Sequence, residues 1–446
     1  MPTLDSFLNG DLSESKPGVA FEDRIRHLTE GGTFKDSRKM PVHRWFYYPT
    51  GFSVRLVFAA FSSFSIGKED VVLDPFVGSG TTCICAQLLG INSIGIEAHP
   101  FVFQMAKAKI NWDLDQKIVQ SAVRSFLNEL QIRMSENQES LYPLESVPEL
   151  LRKLYSDKAL QNLLIARELV DDLQNEEFFL FFKVALATAL RKVSQADTGW
   201  PYMLPKKKKT RERSPLDVLR ELLNVQLEDL VYIQEKARKG GETTLVQGDA
   251  RDLSLIEDES INVAFTSPPY LNNFDYADRT RMETYFFGEA NSWGEITAKV
   301  RSKLIISATT QIRRGEWDPE NILDPRISEE VQERIYASIR ELSQRRLKKG
   351  GRKSYDILVG GYFSDMCQNL AETYRVLKKK TKYLLVLGDS APYGVYVPTE
   401  EYLGKIGEAV GFSSFKLLNL RQRGNKWKSA PKHSVPLRES ILVLEK

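Results

Sequence analysis

The amino-acid sequence predicts an α/β fold, a doubly wound and mostly parallel sheet with a large helical insertion and a second, smaller insertion. The first observation is a short apolar run at Val71–Leu73, followed by a glycine loop, a helical stretch and another apolar run at Ser93–Ile96. The second is that short apolar runs return at Thr244–Val246 and Ile261–Phe265, after a long helical interval. Strands that alternate with helices form parallel sheets with helices on both faces.

The other elements follow from the spacing of apolar residues. A polar stretch over roughly 290–350 forms the second insertion. Helices are predicted at 53–66, from the glycine loop to Leu89, over most of 111–238, at Phe363–Leu377 and at 399–411, and strands at Tyr383–Leu387 and Ser440–Leu444.

Composition excludes several classes of protein. The chain has 446 residues, of which 42% are hydrophobic and 27% charged, as in globular proteins. Its longest apolar stretch, Phe178–Leu190, is too short for a bilayer and contains Lys183. The N-terminal residues lack the pattern of a signal peptide. Three cysteines (Cys83, Cys85 and Cys367) indicate a reducing compartment and provide no zinc motif. We therefore expect a cytoplasmic protein without a membrane partner or a metal.

The first motif with chemical content is Asp-Pro-Phe-Val-Gly-Ser-Gly-Thr-Thr, from Asp74 to Thr82. Glycines let the backbone approach a ligand, and the N-terminus of the next helix presents free N–H groups to an anion. Glu97, at the end of the second strand, can accept hydrogen bonds from both hydroxyls of a ribose. A glycine loop alone is also compatible with a simple turn or a dinucleotide site. The absence of a third glycine three residues after Gly80 disfavours the dinucleotide.

The second motif is Thr-Ser-Pro-Pro-Tyr, from Thr266 to Tyr270, directly after a predicted strand. Two consecutive prolines fix the backbone and remove two amide donors. A hydroxyl, carbonyl acceptors and an aromatic ring remain. This set suits a planar substrate whose amino group donates hydrogen bonds while its face stacks on the ring. The alternative is a rigid corner between strand and loop.

Together the two motifs resemble the cofactor loop and the catalytic motif of the DNA amino-methyltransferases, the latter in the serine form typical of N4-cytosine enzymes. Other stretches agree with this resemblance. His43–Phe52 is similar to the motif before the cofactor loop, Gly248–Arg251 to the adenine-binding turn, and Tyr374–Leu377 and Leu385–Ser390 to the helix and strand beside the target pocket.

The resemblance implies a Rossmann-like S-adenosylmethionine-dependent methyltransferase fold and divides the chain into segments. Many N4-cytosine enzymes place the catalytic motif first, whereas here the cofactor loop comes first. The segments are 1–110, the N-terminal part with the cofactor loop; 111–240, the helical insertion and candidate DNA-recognition region; 241–290, with the catalytic motif; 291–350, the second insertion; and 351–446, the rest of the catalytic domain.

Residue by residue, the resemblance implies a site for S-adenosyl-L-methionine. Asp74, Phe76, Gly78 and Gly80 would hold the methionine half of the cofactor, and Thr81 and Thr82 would lie near its carboxylate. Glu97 would bind the ribose and Asp249 the adenine amino group. The set is Asp74, Phe76, Gly78, Gly80, Thr81, Thr82, Glu97, Asp249 and Ala250.

The resemblance also implies a catalytic set, Ser267, Pro268, Pro269 and Tyr270, that acts on an exocyclic amino group of a flipped base. Ser267 and the Pro268 carbonyl would accept hydrogen bonds from the amino group, and Tyr270 would stack on the base. N4 of cytosine is the favoured target. The alternatives are N6 of adenine in DNA, an RNA or protein-glutamine amino group, and a catalytically silent module that only binds nucleic acid.

DNA is the implied partner, and a separately encoded restriction endonuclease or other defence-system component is a candidate second one. The net charge of +3 is too small to establish a nucleic-acid partner, so clustered cations are the available signal. Such clusters either follow a phosphate backbone or are solvated loops. The candidate DNA-binding residues are Lys206, Lys207, Lys208, Lys209, Arg211, Arg423 and Lys426.

Overall fold

A seven-stranded sheet organises the computed structural model of the chain. Strands and helices are numbered below in chain order. The structure describes residues 21–25, 37–48, 51–136, 142–197, 204–208, 212–348, 350, 353–423 and 436–446.

The sheet is mostly parallel, as the sequence predicts, with strand order β5-β2-β1-β6-β7-β9-β8. The first five strands in this order pair in parallel, and β9 runs antiparallel to both of its neighbours. A separate two-stranded antiparallel sheet consists of β3 and β4. The strands are β1 (Val71–Asp74), β2 (Asn92–Glu97), β3 (Ala196–Asp197), β4 (Leu204–Lys208), β5 (Thr243–Gln247), β6 (Ile261–Thr266), β7 (Leu377–Gly388), β8 (Ser414–Arg423) and β9 (Leu437–Glu445).

Helices cover both faces of the sheet and fill the two insertions. Those of the first insertion are α5 to α9, and the second insertion contains α12 and α13. The helices are α1 (Phe21–Ile25), α2 (Val54–Ser63), α3 (Thr81–Leu88), α4 (Pro100–Ile110), α5 (Gln116–Glu136), α6 (Glu149–Leu154), α7 (Asp157–Asp171), α8 (Glu176–Val193), α9 (Pro215–Lys236), α10 (Tyr276–Arg279), α11 (Arg281–Phe286), α12 (Trp293–Lys299), α13 (Glu329–Lys348), α14 (Tyr355–Val376) and α15 (Thr399–Val410).

Alternate residues of the central strands belong to two separate apolar layers, because successive side chains of a strand point to opposite faces. Val72 and Val263 pack in one layer with α2, α3, α4 and the first insertion. Leu73 and Ala264 pack in the other with α13, α14 and α15. Residues buried on both faces explain why these strands appear in the sequence as continuous apolar runs.

The strand order creates a crevice at the carboxyl ends of the central strands. β1 pairs with β2 on one side and with β6 on the other, so the chain connections leave in opposite directions from this point. Ligands of doubly wound sheets bind in such a crevice. Asp74, Glu97 and Thr266 end the three strands there.

Three features of the fold differ from the sequence prediction. The expectation of no clear strand within 111–238 is wrong at β3 and β4. The helix expected at Phe363–Leu377 begins at Tyr355, and β8 was not predicted at all. None of the helices within the described ranges combines the length and the apolar character that crossing a membrane requires.

Candidate active site

A cleft of about 780 Å³ opens at the carboxyl ends of β1, β2 and β6. The structure brings many of the predicted site residues together here. Those that line the cleft are Phe76, Gly78, Thr81, Glu97, Asp249, Ala250, Ser267 and Pro269.

The glycine loop is shaped by two residues in the left-handed region. Gly78 has φ +52° and Gly80 has φ +93°, conformations that a Cβ disfavours. Gly80 precedes α3 and offers no side-chain acceptor, so the first N–H groups of that helix receive no cap from it. Thr81, the first residue of α3, lines the cleft. This end of the cleft therefore suits an anionic group.

Asp74 lies beneath the loop and does not line the cleft. Its carboxylate is buried, and Oδ1 accepts hydrogen bonds from the Phe76 N–H (3.1 Å) and the Thr266 hydroxyl (2.5 Å). Burial raises the pKa of Asp74 to about 6, against these hydrogen bonds, which lower it. Asp74 Oδ1 thus connects the cofactor loop to the first residue of the catalytic motif, whereas Oδ2 has no hydrogen-bond partner within the described residues.

Glu97 is oriented by two backbone N–H groups. Its Oε2 accepts from Gly78 (2.9 Å) and its Oε1 accepts from His99 (2.8 Å). Desolvation nevertheless raises the pKa of Glu97 to about 8. The carboxyl group remains partly exposed to the cleft, where its remaining lone pairs can accept from a diol.

Asp249 and Ala250 form the far wall of the cleft and are held from α14. The Asp249 carboxylate accepts hydrogen bonds from the backbone N–H, the Nε and a terminal nitrogen of Arg251, whose other terminal nitrogen donates to Asp365 (2.9 Å). The carbonyl of Ala250 accepts from the Asn369 amide (2.8 Å). These contacts fix the turn that follows β5.

In the catalytic motif, the hydroxyl proton of Ser267 is donated to another group of the protein. Its hydroxyl donates to the carbonyl of Val386 on β7 (3.0 Å), so that Oγ faces a ligand only as an acceptor. Pro269 lines the cleft as well, whereas Pro268 is buried. The motif therefore presents acceptors at the point where β6 ends.

Tyr270 does not line the cleft. Its hydroxyl donates to Glu439 (2.9 Å), and the guanidinium carbon of Arg423 lies 5.2 Å from the ring centroid. Arg423 also donates to the Asp389 carbonyl (3.1 Å). One predicted DNA contact and the predicted stacking ring are therefore in contact with each other.

The other predicted residues fall outside the cleft or outside the description. Gly80 and Thr82 do not line it, and the Thr82 hydroxyl donates to the Phe265 carbonyl (3.3 Å). The backbone of Lys206–Lys208 lies in β4, but their side chains are outside the described residues, as are Lys209, Arg211 and Lys426 entirely.

Several cleft residues were not predicted from the sequence. Tyr48 and Tyr276 line the cleft with ring centroids 5.9 Å apart. Tyr48 belongs to the stretch that resembles the motif before the cofactor loop, which was a usable signal. Lys303, Leu304 and Ile305 come from the second insertion, where no motif drew attention to them.

These residues fit S-adenosyl-L-methionine, whose methyl group is activated by a positively charged sulfur. Glu97 can hold the ribose diol and Asp249 the adenine amino group. The unblocked N-terminus of α3 can hold the methionine carboxylate. The fold and this cleft define a Rossmann-like methyltransferase that uses S-adenosyl-L-methionine.

Comparison with known proteins finds similar chains among the DNA methyltransferases. A family model described as a DNA methylase matches residues 25–108. Type II methyltransferase M.BsoBI of Geobacillus stearothermophilus is 26% identical, over 93% of this chain and 87% of its own. M.AvaI of Nostoc sp. is 24% identical, over 93% and 88%, and M.MvaI of Kocuria varians 19%, over 92% and 88%. These matches support a DNA amino-methyltransferase of the N4/N6 family.

The raised pKa of Glu97 gives a pH prediction. Below its pKa of about 8 the free protein holds this carboxyl mostly protonated, and a diol with a nearby positive charge favours the ionised form. The affinity for S-adenosyl-L-methionine should therefore rise with pH up to about 8 and then level off. Calorimetric titration across this range should show the rise in the wild type and lose it in Glu97→Gln.

Glu400→Gln is the matched control for this measurement. Burial also raises the pKa of Glu400, to about 7, but this residue does not line the cleft. It should keep the pH dependence of the wild type. A rise that persists unchanged in Glu97→Gln would assign the titration to another group.

Proposed function

We propose that this chain methylates the exocyclic amino group of a flipped base in DNA, with N4 of cytosine as the target. The observation that carries the proposal is the state of Ser267. Its hydroxyl proton is committed to the Val386 carbonyl, and Oγ lies in the same cleft as Glu97 and Asp249. An amino group needs an acceptor of this kind beside the cofactor site.

The acceptors give the chain a way to activate a poor nucleophile. The lone pair of the amino nitrogen is delocalised into the base. Ser267 Oγ and the Pro268 carbonyl would accept hydrogen bonds from the two N–H groups. These hydrogen bonds would favour a nitrogen that is becoming pyramidal and more basic. Because both acceptors sit on a corner fixed by two prolines, little reorganisation is needed during the reaction.

The rigidity of this corner is reinforced from both sides. The Thr266 hydroxyl donates a hydrogen bond to Asp74 under the cofactor loop, and the Ser267 hydroxyl donates one to β7. The two motifs are thereby fixed relative to each other. Such fixed geometry supports in-line positioning of nitrogen and methyl group, which supplies much of the acceleration in transfer reactions.

Access to the amino group requires that the base leave the duplex, because the cleft lies between protein walls. We assign the stacking contact to Tyr270. Tyr270 is buried and does not line the cleft, and its hydroxyl donates to Glu439 while Arg423 lies over its ring. The ring plane is therefore fixed, and a base that stacks on it would take the place of the Arg423 guanidinium. The serine form of the motif is the reason for preferring cytosine over adenine.

The DNA-reading surface is assigned to the helical insertion at 111–240, with the lysine run from Lys206 to Lys209 on the phosphates. A cleft of this size holds one nucleotide and a cofactor, so neighbouring base pairs must be read elsewhere. The curated relatives are called type II methyltransferases, and we propose a separately encoded restriction endonuclease as the functional partner of this chain.

The test is to incubate bacterial genomic DNA with the protein and methyl-labelled S-adenosyl-L-methionine. The DNA is then digested to nucleosides for mass spectrometry. We expect N4-methyldeoxycytidine as the labelled product. If N6-methyldeoxyadenosine were the sole labelled product, the choice of base would be wrong but the proposed type of reaction would stand. A parallel incubation with bacterial RNA completes the test: label in the RNA but not in the DNA, or in neither, would overturn the proposed function.

A further inference from the structure

The segment from Arg301 to Ile306, called the strap below, runs along the cleft and is held at both ends by hydrogen bonds. The Arg301 guanidinium donates to Asp275 (2.8 Å), and both side chains are buried. The Ile306 N–H donates to Asp365 (2.8 Å). Asp275 follows the catalytic motif and Asp365 holds Arg251 behind the far wall, so the strap spans from one side of the cleft to the other. Between its fastened ends, Lys303 lines the cleft.

The ammonium group of Lys303 has no hydrogen bond or ion pair within the described ranges. The nearby cations are paired, since Arg301 forms an ion pair with Asp275 and Lys299 forms one with Glu295. Lys303 is exposed, and it is the one cation among the described residues that line the cleft. An exposed ammonium without a partner at the edge of the cleft is available to bind an anion.

Two anions can reach a cleft of this kind, the carboxylate of the cofactor and a phosphate of the DNA. The carboxylate already has the N-terminus of α3, at Thr81, as a binding site. Lys303 is itself exposed, and the guanidinium carbon of Arg301, the first anchor of the strap, lies 4.4 Å from the ring centroid of the exposed Trp293. Exposed aromatic rings beside cations are typical of surfaces that bind nucleic acids.

We infer that Lys303 binds a DNA phosphate next to the target nucleotide, which makes the strap part of the DNA interface. This inference rests on the proposed function. A phosphate at the rim would hold the backbone of the flipped nucleotide on the strap side while the base occupies the cleft. Lys303 would then contribute to affinity for all sequences alike and carry no sequence information.

The test compares Lys303→Gln with Lys299→Gln, a matched loss of one charge at an exposed lysine that is already paired. Binding of a fluorescent random-sequence duplex is measured by anisotropy at several salt concentrations. We expect Lys303→Gln to weaken binding by about tenfold and to reduce the slope of log affinity against log salt by about 0.9. Lys299→Gln should match the wild type.

Calorimetry with S-adenosyl-L-methionine separates the two possible anions. Lys303→Gln and the wild type should bind S-adenosyl-L-methionine with the same affinity. Lys303→Arg, which keeps the positive charge, should bind DNA as the wild type does. Weaker cofactor binding with unchanged DNA binding would overturn the inference in favour of the carboxylate. An unchanged salt slope would overturn it as well. Absence of methyl transfer to DNA by the wild type would contradict the proposed function separately.

Discussion

Replacement of Ser267 by alanine should reduce kcat for methyl transfer by about 10²–10³-fold, the usual cost of removing one preorganised hydrogen-bonding group from a reaction site. The variant lacks the acceptor at the end of β6, while the methyl group of alanine fits the space. The affinity for S-adenosyl-L-methionine should stay within about twofold of the wild type, because Glu97, Asp249 and the glycine loop are intact.

Ser260→Ala is the control for this experiment. Ser260 lies at the opposite end of the same strand, and its hydroxyl also donates to a backbone carbonyl, that of Glu257 (2.7 Å). It should retain wild-type kcat. If Ser267→Ala were equally active, the amino group would have to find its acceptor elsewhere, and the proposed role of the motif would be wrong.

Much of the sheet could be predicted because its central strands are buried on both faces. Val71–Asp74 and Ile261–Thr266 were recognisable as short apolar runs closed by polar or proline-containing turns. Local sequence determines such strands, since only apolar side chains fit between two helical layers.

The elements that were missed depend on distant partners. β8 is an edge strand whose residues are largely half-buried or exposed, so its basic sequence does not resemble a core strand, and β9 supplies its hydrogen bonds. α14 begins early despite Gly360 and Gly361, which are poor helix formers. A Cβ at these positions would lie 2.2 Å from Ile322 and 2.9 Å from Ile306, so the glycines permit close packing of the second insertion.

The same distinction applies to the site. The resemblance, followed along the chain, identified Glu97, Asp249 and Ser267, which the structure brings to one cleft. The connection that Asp74 makes depends on Thr266, 192 residues further along, and the fastening of Tyr270 depends on Glu439, 169 residues away. No spacing rule in the sequence reveals contacts at such separations.

Asp229 makes another long-range connection, between the helical insertion and the segment that leads into the cleft. Its side chain on α9 is 2% exposed. It accepts from the Val42 N–H (2.9 Å), from the Trp45 indole N–H (2.9 Å) and from both Nε and a terminal nitrogen of Arg44. Three residues beyond Trp45, Tyr48 lines the cleft. One buried carboxylate therefore fixes both the insertion and one wall of the active site.

Asp229→Ala should lower the free energy of unfolding by about 3 kcal/mol, because it leaves buried donors without an acceptor and a guanidinium without its partner. The estimate is at the low end for a broken buried pair, since the Arg44 side chain is one-third exposed and can be hydrated. Urea unfolding followed by circular dichroism measures the loss. Asp229→Asn keeps one acceptor oxygen and should fall between the wild type and the alanine variant.

Glu228→Ala, at the exposed neighbouring position of α9, should change stability by less than about 0.5 kcal/mol. Because the Asp229 network positions the segment before Tyr48, Asp229→Asn should also bind S-adenosyl-L-methionine more weakly than Glu228→Ala does. Equal stability of the Asp229 and Glu228 variants would show that the network contributes nothing net to folding. Equal cofactor affinity would show that the cleft wall is held by other contacts, such as the hydrogen bond from Lys109 to the Phe46 carbonyl (2.8 Å).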